Sequence, residues 1–159
     1  MESSRRKIKT LKKLVTLRQL WSWEGKKVVF TNGVYDILHA GHVQLLRKAK
    51  SLGDILIVGL NSDASARRLG KGPGRPINKW EDRAELLGAL SCIDAIVKFE
   101  ENTPVEIIKK IRPDILVKGA DYRKDQIAGR EFAGKVARIP LKKGYSTTNL
   151  IKRLRSIPY

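Results

Sequence analysis

The chain has 159 residues, 42% of them hydrophobic and 31% charged, which suits one globular domain with a real core and excludes a disordered or fibrous class. It carries 33 Lys and Arg against 16 Asp and Glu, a net charge of +17, and such a field attracts polyanions: nucleotides, phosphorylated metabolites or nucleic acid. No apolar run approaches the roughly 18 residues needed to cross a bilayer, and no apolar segment follows the basic N-terminus in the manner of a secretory signal. The single cysteine, Cys92, leaves no intramolecular disulfide framework and no Cys-based zinc site. These features predict a protein of the reducing cytoplasm with no membrane partner. The positive excess sits at the two ends: residues 1–27 hold nine basic and two acidic side chains, and residues 138–159 hold six basic and none acidic.

In chain order, Leu11, Leu14, Val15, Leu17, Leu20 and Trp21 fall mostly on one face of a helix over 10–23, ended by Gly25. Trp21 and Trp23 are expected to pack that helix. Residues 27–31 are a buried strand, and Asn32-Gly33 opens a loop. A helix from Gly41 to Leu52 is closed by Gly53. The continuous apolar run 54–60 predicts a parallel strand covered on both faces. Residues 67–78, rich in Gly, Pro, Arg and Lys, read as a basic loop. A helix follows over 81–92 with Leu86, Leu87 and Leu90 inward and Cys92 buried in it, then a strand over 95–99. Thr103 should cap a helix with Pro104 at its first position, running to Ile111. Strands at 114–118 and 135–139 and a helix from Ser146 or Thr147 to Arg155 complete the chain. Strands alternating with helices predict a Rossmann-like α/β fold: a doubly wound parallel sheet of about five strands in a single domain, residues 26–159, preceded by a basic helical segment, residues 1–25. Ligands of such sheets bind beyond the C-terminal strand ends, here after Thr31, Leu60, Lys118 and Ile139.

The two histidines of the chain stand together in His39-Ala40-Gly41-His42, at a predicted helix N-terminus just after the first strand. Unpaired N–H groups and the positive end of the helix dipole make that position a phosphate site. Gly41 lets a phosphate approach the backbone. The imidazoles can donate hydrogen bonds as charge builds in a transition state. With no third His and no nearby Cys, a metal site is not expected.

Thr31-Asn32-Gly33-Val34-Tyr35-Asp36-Ile37-Leu38-His39-Ala40-Gly41-His42 resembles the Thr-x-Gly-x-Phe-Asp-x-x-His-x-Gly-His opening of the cytidylyltransferase-like nucleotidyltransferase superfamily. Leu52-Gly53-Asp54, Asn61-Ser62-Asp63 and Lys118-Gly119-Ala120-Asp121-Tyr122 extend the match. Gly144-Tyr145-Ser146-Thr147-Thr148 resembles the family's second motif, Ile-Ser-Ser/Thr-Thr-x-x-Arg/Lys. Within the superfamily the chain is similar to the adenylyltransferases that make ADP-heptose from D-glycero-β-D-manno-heptose 1-phosphate and ATP, a step of lipopolysaccharide core synthesis. The likeness rests on Phe30 to Gly33, Val58 to Asp63, Arg75-Pro76-Ile77-Asn78, Thr103-Pro104 and the segment from Lys118 to Tyr122. In many bacteria that activity forms the C-terminal half of a bifunctional kinase and adenylyltransferase, and residues 10–25 resemble the helix after the kinase half.

The resemblance implies in-line attack of a sugar phosphate oxygen on the α-phosphate of ATP, with pyrophosphate leaving and Mg²⁺ carried by the triphosphate and water. His39 and His42 would hold the phosphates, His42 nearer the α-phosphate, and Lys71 would reach the triphosphate from the basic loop. Arg67, Arg68 and Arg75 are weaker candidates for the same service. Thr31, Gly33, Val34, Tyr35, Gly41, Asp63, Gly119 and Asp121 are candidates for the nucleotide. Ser146, Thr147 and Thr148, at a helix N-terminus, are candidates for the β- and γ-phosphates. Asp36, Arg75, Arg83 and Lys118 are candidates for the sugar phosphate, with fixing of the loop as the other reading of Asp36 and bracing of it as the other reading of Arg83. A homodimer is also implied, with Cys92-Ile93-Asp94 as a surface for it. Two features depart from the family pattern: Tyr35 replaces Phe, and the terminal basic residue of the second motif falls at Ile151, which passes its role to Lys152 or Lys142. Two other functions compete: cytidylyl transfer to glycerol 3-phosphate, and a basic nucleic-acid-binding module. No helix-turn-helix, RNA-recognition or zinc-finger pattern favours the latter, so no specific nucleic acid is expected.

Overall fold

The computed structural model describes residues 2–70, 72–141 and 144–157. Five strands form one all-parallel sheet: β1 (Val28–Gly33), β2 (Ile55–Asn61), β3 (Ala95–Phe99), β4 (Ile115–Gly119) and β5 (Lys135–Ile139), in the spatial order β3-β2-β1-β4-β5. Seven α-helices accompany them: α1 (Glu2–Arg6), α2 (Leu11–Trp23), α3 (Ala40–Lys50), α4 (Asp63–Arg68), α5 (Trp80–Gly88), α6 (Val105–Ile111) and α7 (Thr147–Arg155). No helix among the described residues is long and apolar enough to cross a membrane.

Apolar side chains on both faces of the central strands produce two cores. On one face Leu46 and Ala49 of α3 and Ala84 and Leu87 of α5 pack over Val29, Leu56, Val58 and Ile115. On the other, Leu14 of α2 and Ile107, Ile108 and Ile111 of α6 pack over Phe30, Ile57 and Leu116. Three aspartates pin the N-terminal edge of the sheet by accepting hydrogen bonds from strand N–H groups. Asp54 takes Lys27 N at 2.8 Å, Asp94 takes Leu56 N at 2.6 Å, and Asp114 takes Val28 N at 2.7 Å. Among the described residues no carboxylate pins a strand N–H at the C-terminal edge, where the site lies.

The N-terminal segment is built into the sheet. Ile8 pairs in parallel with Ile96 at the β3 edge through Lys9 N to Ile96 O and Ile96 N to Lys7 O, both 2.8 Å. This closes an otherwise open strand edge. Thr10 caps α2 by accepting from Lys13 N, and Leu14 is 0% exposed.

Several local expectations are corrected. The expected 67–78 loop begins later, because Ser62 caps a short helix, α4, by accepting from Ser65 N, so Arg67 and Arg68 are helical. Helix α5 stops at Gly88 rather than Cys92: α1 crosses there, and a Cβ on Gly88 would lie 2.7 Å from Ser4 O. Leu86 is therefore on the outer face, and Cys92 sits in the following turn, where burial raises its thiol pKa. Pro104, not Thr103, occupies the cap position of α6, with no side-chain cap bond. Trp21 packs against the α2–α6 core, but Trp23 is 83% exposed. Ile93 is 1% exposed, Asp94 accepts from Leu56 N and Lys50, and Cys92 and Asp94 are half-buried.

If α2 is part of the folding unit, Leu14→Ala should destabilise the whole domain by about 2–5 kcal/mol in a single denaturation transition. A loss below about 1 kcal/mol would show α2 to be an appendage.

Candidate active site

The site follows from where two strands part. β1 pairs with β2 along its whole length, Val28 to Gly33, but with β4 only at Val29–Ile115 and Phe30–Leu116. β1 neighbours β2 on one side and β4 on the other, so strand order switches here, and doubly wound sheets open a crevice at such a point. Beyond Phe30 the lips are joined by side chains. Thr31 Oγ1 donates to Val117 O at 3.1 Å, and Lys118 Nζ donates to Asn32 Oδ1 at 2.5 Å. Above them lies a cavity of about 290 Å³.

Helix α3 supplies one wall. His39 is its N-cap, in extended backbone, and its Nδ1 accepts from His42 N at 3.3 Å. In the neutral ring the proton then sits on Nε2, a donor. The two imidazoles stack at 3.7 Å between centroids, and the Tyr35 ring meets His42 edge-on at 5.1 Å. Burial holds the His39 pKa below 6.5. Tyr35 adopts φ +48°, a costly left-handed conformation for a bulky residue, which turns its ring into the core. Burial pushes its phenol up to about 12. A Cβ on Gly33 would sit 3.0 Å from Tyr35 Cε2, so any larger residue would press on that ring. Gly41 also makes room within the protein. It is buried, and its added Cβ would lie 2.9 Å from Tyr145 Cβ and 3.1 Å from His39, so its smallness admits side chains of the protein itself.

Tyr145 thereby seats the start of α7 against α3. Ser146 caps α7 by accepting from Asn149 N at 3.0 Å, and Thr147 and Thr148, in the first turn, have N–H groups with no carbonyl four residues back. Two helix N-termini thus converge on one cavity, each with its positive dipole end.

Of the expected residues, Thr31, Gly33, Val34 and Tyr35 line the cavity from β1 and its exit. His39, Gly41 and His42 line it from α3, Lys118, Gly119 and Asp121 from β4, and Ser146, Thr147 and Thr148 from α7. Asp36 and Arg75 also border it but are spent on each other. Asp36 is 2% exposed and accepts from Arg75 Nε at 2.5 Å, Ile77 N at 2.7 Å and Asn78 N at 3.0 Å. Its carboxylate ties down the 75–78 segment, as the loop-fixing reading of Asp36 expects. Arg83 and Asp63 are not among the residues that line the cavity. Arg83 is 0% exposed, and its guanidinium donates to Val34 O, Asn78 O, Asn61 O and Asp63 Oδ1. It braces the exits of β1 and β2, and Asp63 is its counter-ion. Arg68 is bonded to Asn102 and to the Glu100 carbonyl, away from the cavity. Lys71 and Lys142 lie outside the described residues; Lys152 is exposed on α7.

The motif pattern did not single out Asn32, Leu45, Tyr122, Leu141 or Tyr145, all of which line the cavity. Tyr122, Leu141 and Tyr145 are half-exposed, an apolar and aromatic rim around a polar floor. Lys118 Nζ lies 5.4 Å from the centroid of the Tyr122 ring. The only signal for the rim was the adjacency of Tyr122 and Tyr145 to matched motifs. Among the described residues no group of three or more His, Cys, Asp or Glu could hold a metal ion.

Residues 30–153 match the family model described as cytidylyltransferase-like. The chain belongs to this family. This cytidylyltransferase-like chain is 57% identical over 130 residues to the bifunctional protein HldE of Helicobacter pylori strain Shi470, covering 82% of the chain and 28% of that protein. It is 52% identical over 146 residues to the protein of the same name from Campylobacter concisus, covering 91% and 31%. It therefore spans less than a third of the length of these relatives. Among solved structures, the lipopolysaccharide core biosynthesis protein of Thermoplasma volcanium superposes with a TM-score of 0.65 at 30% identity, over 75% of this chain and all of that one. Pantoate-β-alanine ligase of Francisella tularensis, at 17% identity and a TM-score of 0.61, shares the fold.

Because His39 is held below its usual pKa in the folded protein, the unfolded chain takes up the proton first as pH falls. Its contribution to stability is therefore present above about pH 6.5 and declines below it. An NMR titration of the ligand-free protein should place the His39 midpoint below 6.5. A midpoint at or above that value would contradict the packing described.

Proposed function

We propose that the protein transfers AMP from ATP to D-glycero-β-D-manno-heptose 1-phosphate, releasing ADP-heptose and pyrophosphate. The observation that carries this reading is the convergence of the imidazole pair and two helix N-termini on one cavity at the strand-order switch. Such a site suits a triphosphate, and the identity to HldE proteins supports the sugar acceptor.

The acceptor phosphate oxygen would attack the α-phosphorus in line, forming a P–O bond as the bond to the β-phosphate oxygen breaks. Positioning and neutralising charge are the protein's share of such chemistry. His39 Nε2–H and His42 would donate to oxygens whose charge grows in the transition state. The N–H groups and hydroxyls at Ser146, Thr147 and Thr148 would hold the departing pyrophosphate. Lys118, fixed by Asn32, would bring a cation to the crevice floor for the sugar phosphate. Gly119 and Asp121 would border the nucleoside, with Tyr122, Leu141 and Tyr145 as an apolar rim for the base. A hard cation prefers phosphate and water oxygens, so Mg²⁺ riding on the triphosphate fits a cavity with so few carboxylates; bound there it would offset phosphate charge. A homodimer remains part of this reading. The competing cytidylyl transfer would use the same phosphate cradle, and nucleotide choice separates the two.

With heptose 1-phosphate as acceptor, pyrophosphate release should require ATP. Release with CTP alone would remove the adenylyl assignment. His42→Ala should lower turnover by roughly 10²–10³ with a smaller change in sugar phosphate KM. Near-normal turnover would contradict the role given to His42.

A further inference from the structure

Helix α7 presents a surface that the transfer reading does not use. Its first turn lines the cavity, but none of its residues is buried. Leu150, Ile151 and Leu154 fall on one face of α7, and Ile157 follows just past its Ser156 cap. The stripe is half-covered at Leu150 and Ile151, then open: Leu154 is 63% and Ile157 61% exposed. Arg153 and Arg155 flank the apolar face, Lys152 lies on the opposite one, and no acidic residue occurs after Glu131. A basic amphipathic helix with an uncovered apolar stripe has the composition of one that lies in a membrane interface.

We propose that the α7 end docks the protein peripherally on an anionic lipid surface, with Leu154 and Ile157 inserted at the headgroup boundary and Arg153 and Arg155 on lipid phosphates. Charge decides among the occupants. A second copy would bring the same two cations, on a chain of net charge +17, against their own kind. A nucleic acid would satisfy the cations but leave Leu154 and Ile157 in water. An anionic bilayer satisfies both rows at once. The earlier expectation of no membrane partner rested on the absence of a spanning segment, and a helix lying in the interface needs none. The proposal is independent of the transfer reading.

The test is co-sedimentation of the full chain with phosphatidylcholine vesicles and with vesicles that also contain phosphatidylglycerol, at low and high salt. Binding is expected only with phosphatidylglycerol, weakening with salt. Leu154→Gln with Ile157→Gln should weaken it at least about tenfold without changing the thermal midpoint, since both side chains are exposed. Should that variant lose its fold, Arg153→Gln with Arg155→Gln carries the same expectation. No binding to anionic vesicles, or equal binding by the parent and the Gln variants, overturns the proposal. So does a dimer in light scattering that the Leu154/Ile157 variant dissociates, or duplex RNA binding that needs those two residues while vesicle binding does not.

Discussion

Backbone pairing between β1 and β4 ends at Phe30 and Leu116, and everything at the site depends on that parting. Had the ladder continued, Thr31, Asn32 and Lys118 would face one another across a closed sheet. Instead Thr31 and Lys118 hold the lips together by side-chain bonds while leaving space above. The same parting brings the starts of α3 and α7 to one opening, because α3 leaves from β1 and α7 follows β5, on the far side of β4. Gly41 then permits the close seating of Tyr145 that joins the two helix starts.

The charged residues around the crevice divide by what their polar atoms already bind. Burying an ion is costly unless its hydrogen-bonding capacity is filled. Arg83 meets that condition through three carbonyls and Asp63, and Asp36 through Arg75 and two backbone N–H groups. Both act as frame: together they fix the exit of β1 to the 75–78 segment and to the exit of β2. Lys118, bonded to Asn32 Oδ1, and the imidazoles line the same cavity that Asp36 borders.

The elements of the sheet were legible because both its faces are covered: strands 95–99 and 135–139 coincide with β3 and β5 to the residue. The His39–His42 cluster and the Ser146 cap were legible because helix starts have local chemistry. What escaped depends on contacts between distant segments. Nothing within 81–92 announces that Ser4 will cross Gly88 and end α5 there. Asp36 and Arg83 carry the same residue types as ligand-binding groups, and only their partners, most of them 20 to 49 residues away, show what they hold together. The rim of Tyr122, Leu141 and Tyr145 likewise forms only when the ends of β4, β5 and the start of α7 meet. Short α4 is another matter: its Ser62 cap was present in the sequence and was hidden by the basic composition that follows.

The central claim is that a triphosphate lies between the starts of α3 and α7. A crystal structure with a non-hydrolysable ATP analogue tests it most directly. Phosphate oxygens within hydrogen-bonding distance of His39 Nε2 and of the Thr147 or Thr148 N–H groups are the result expected. An analogue bound elsewhere, with the stacked imidazoles and the α7 start touching no phosphate, would contradict the account.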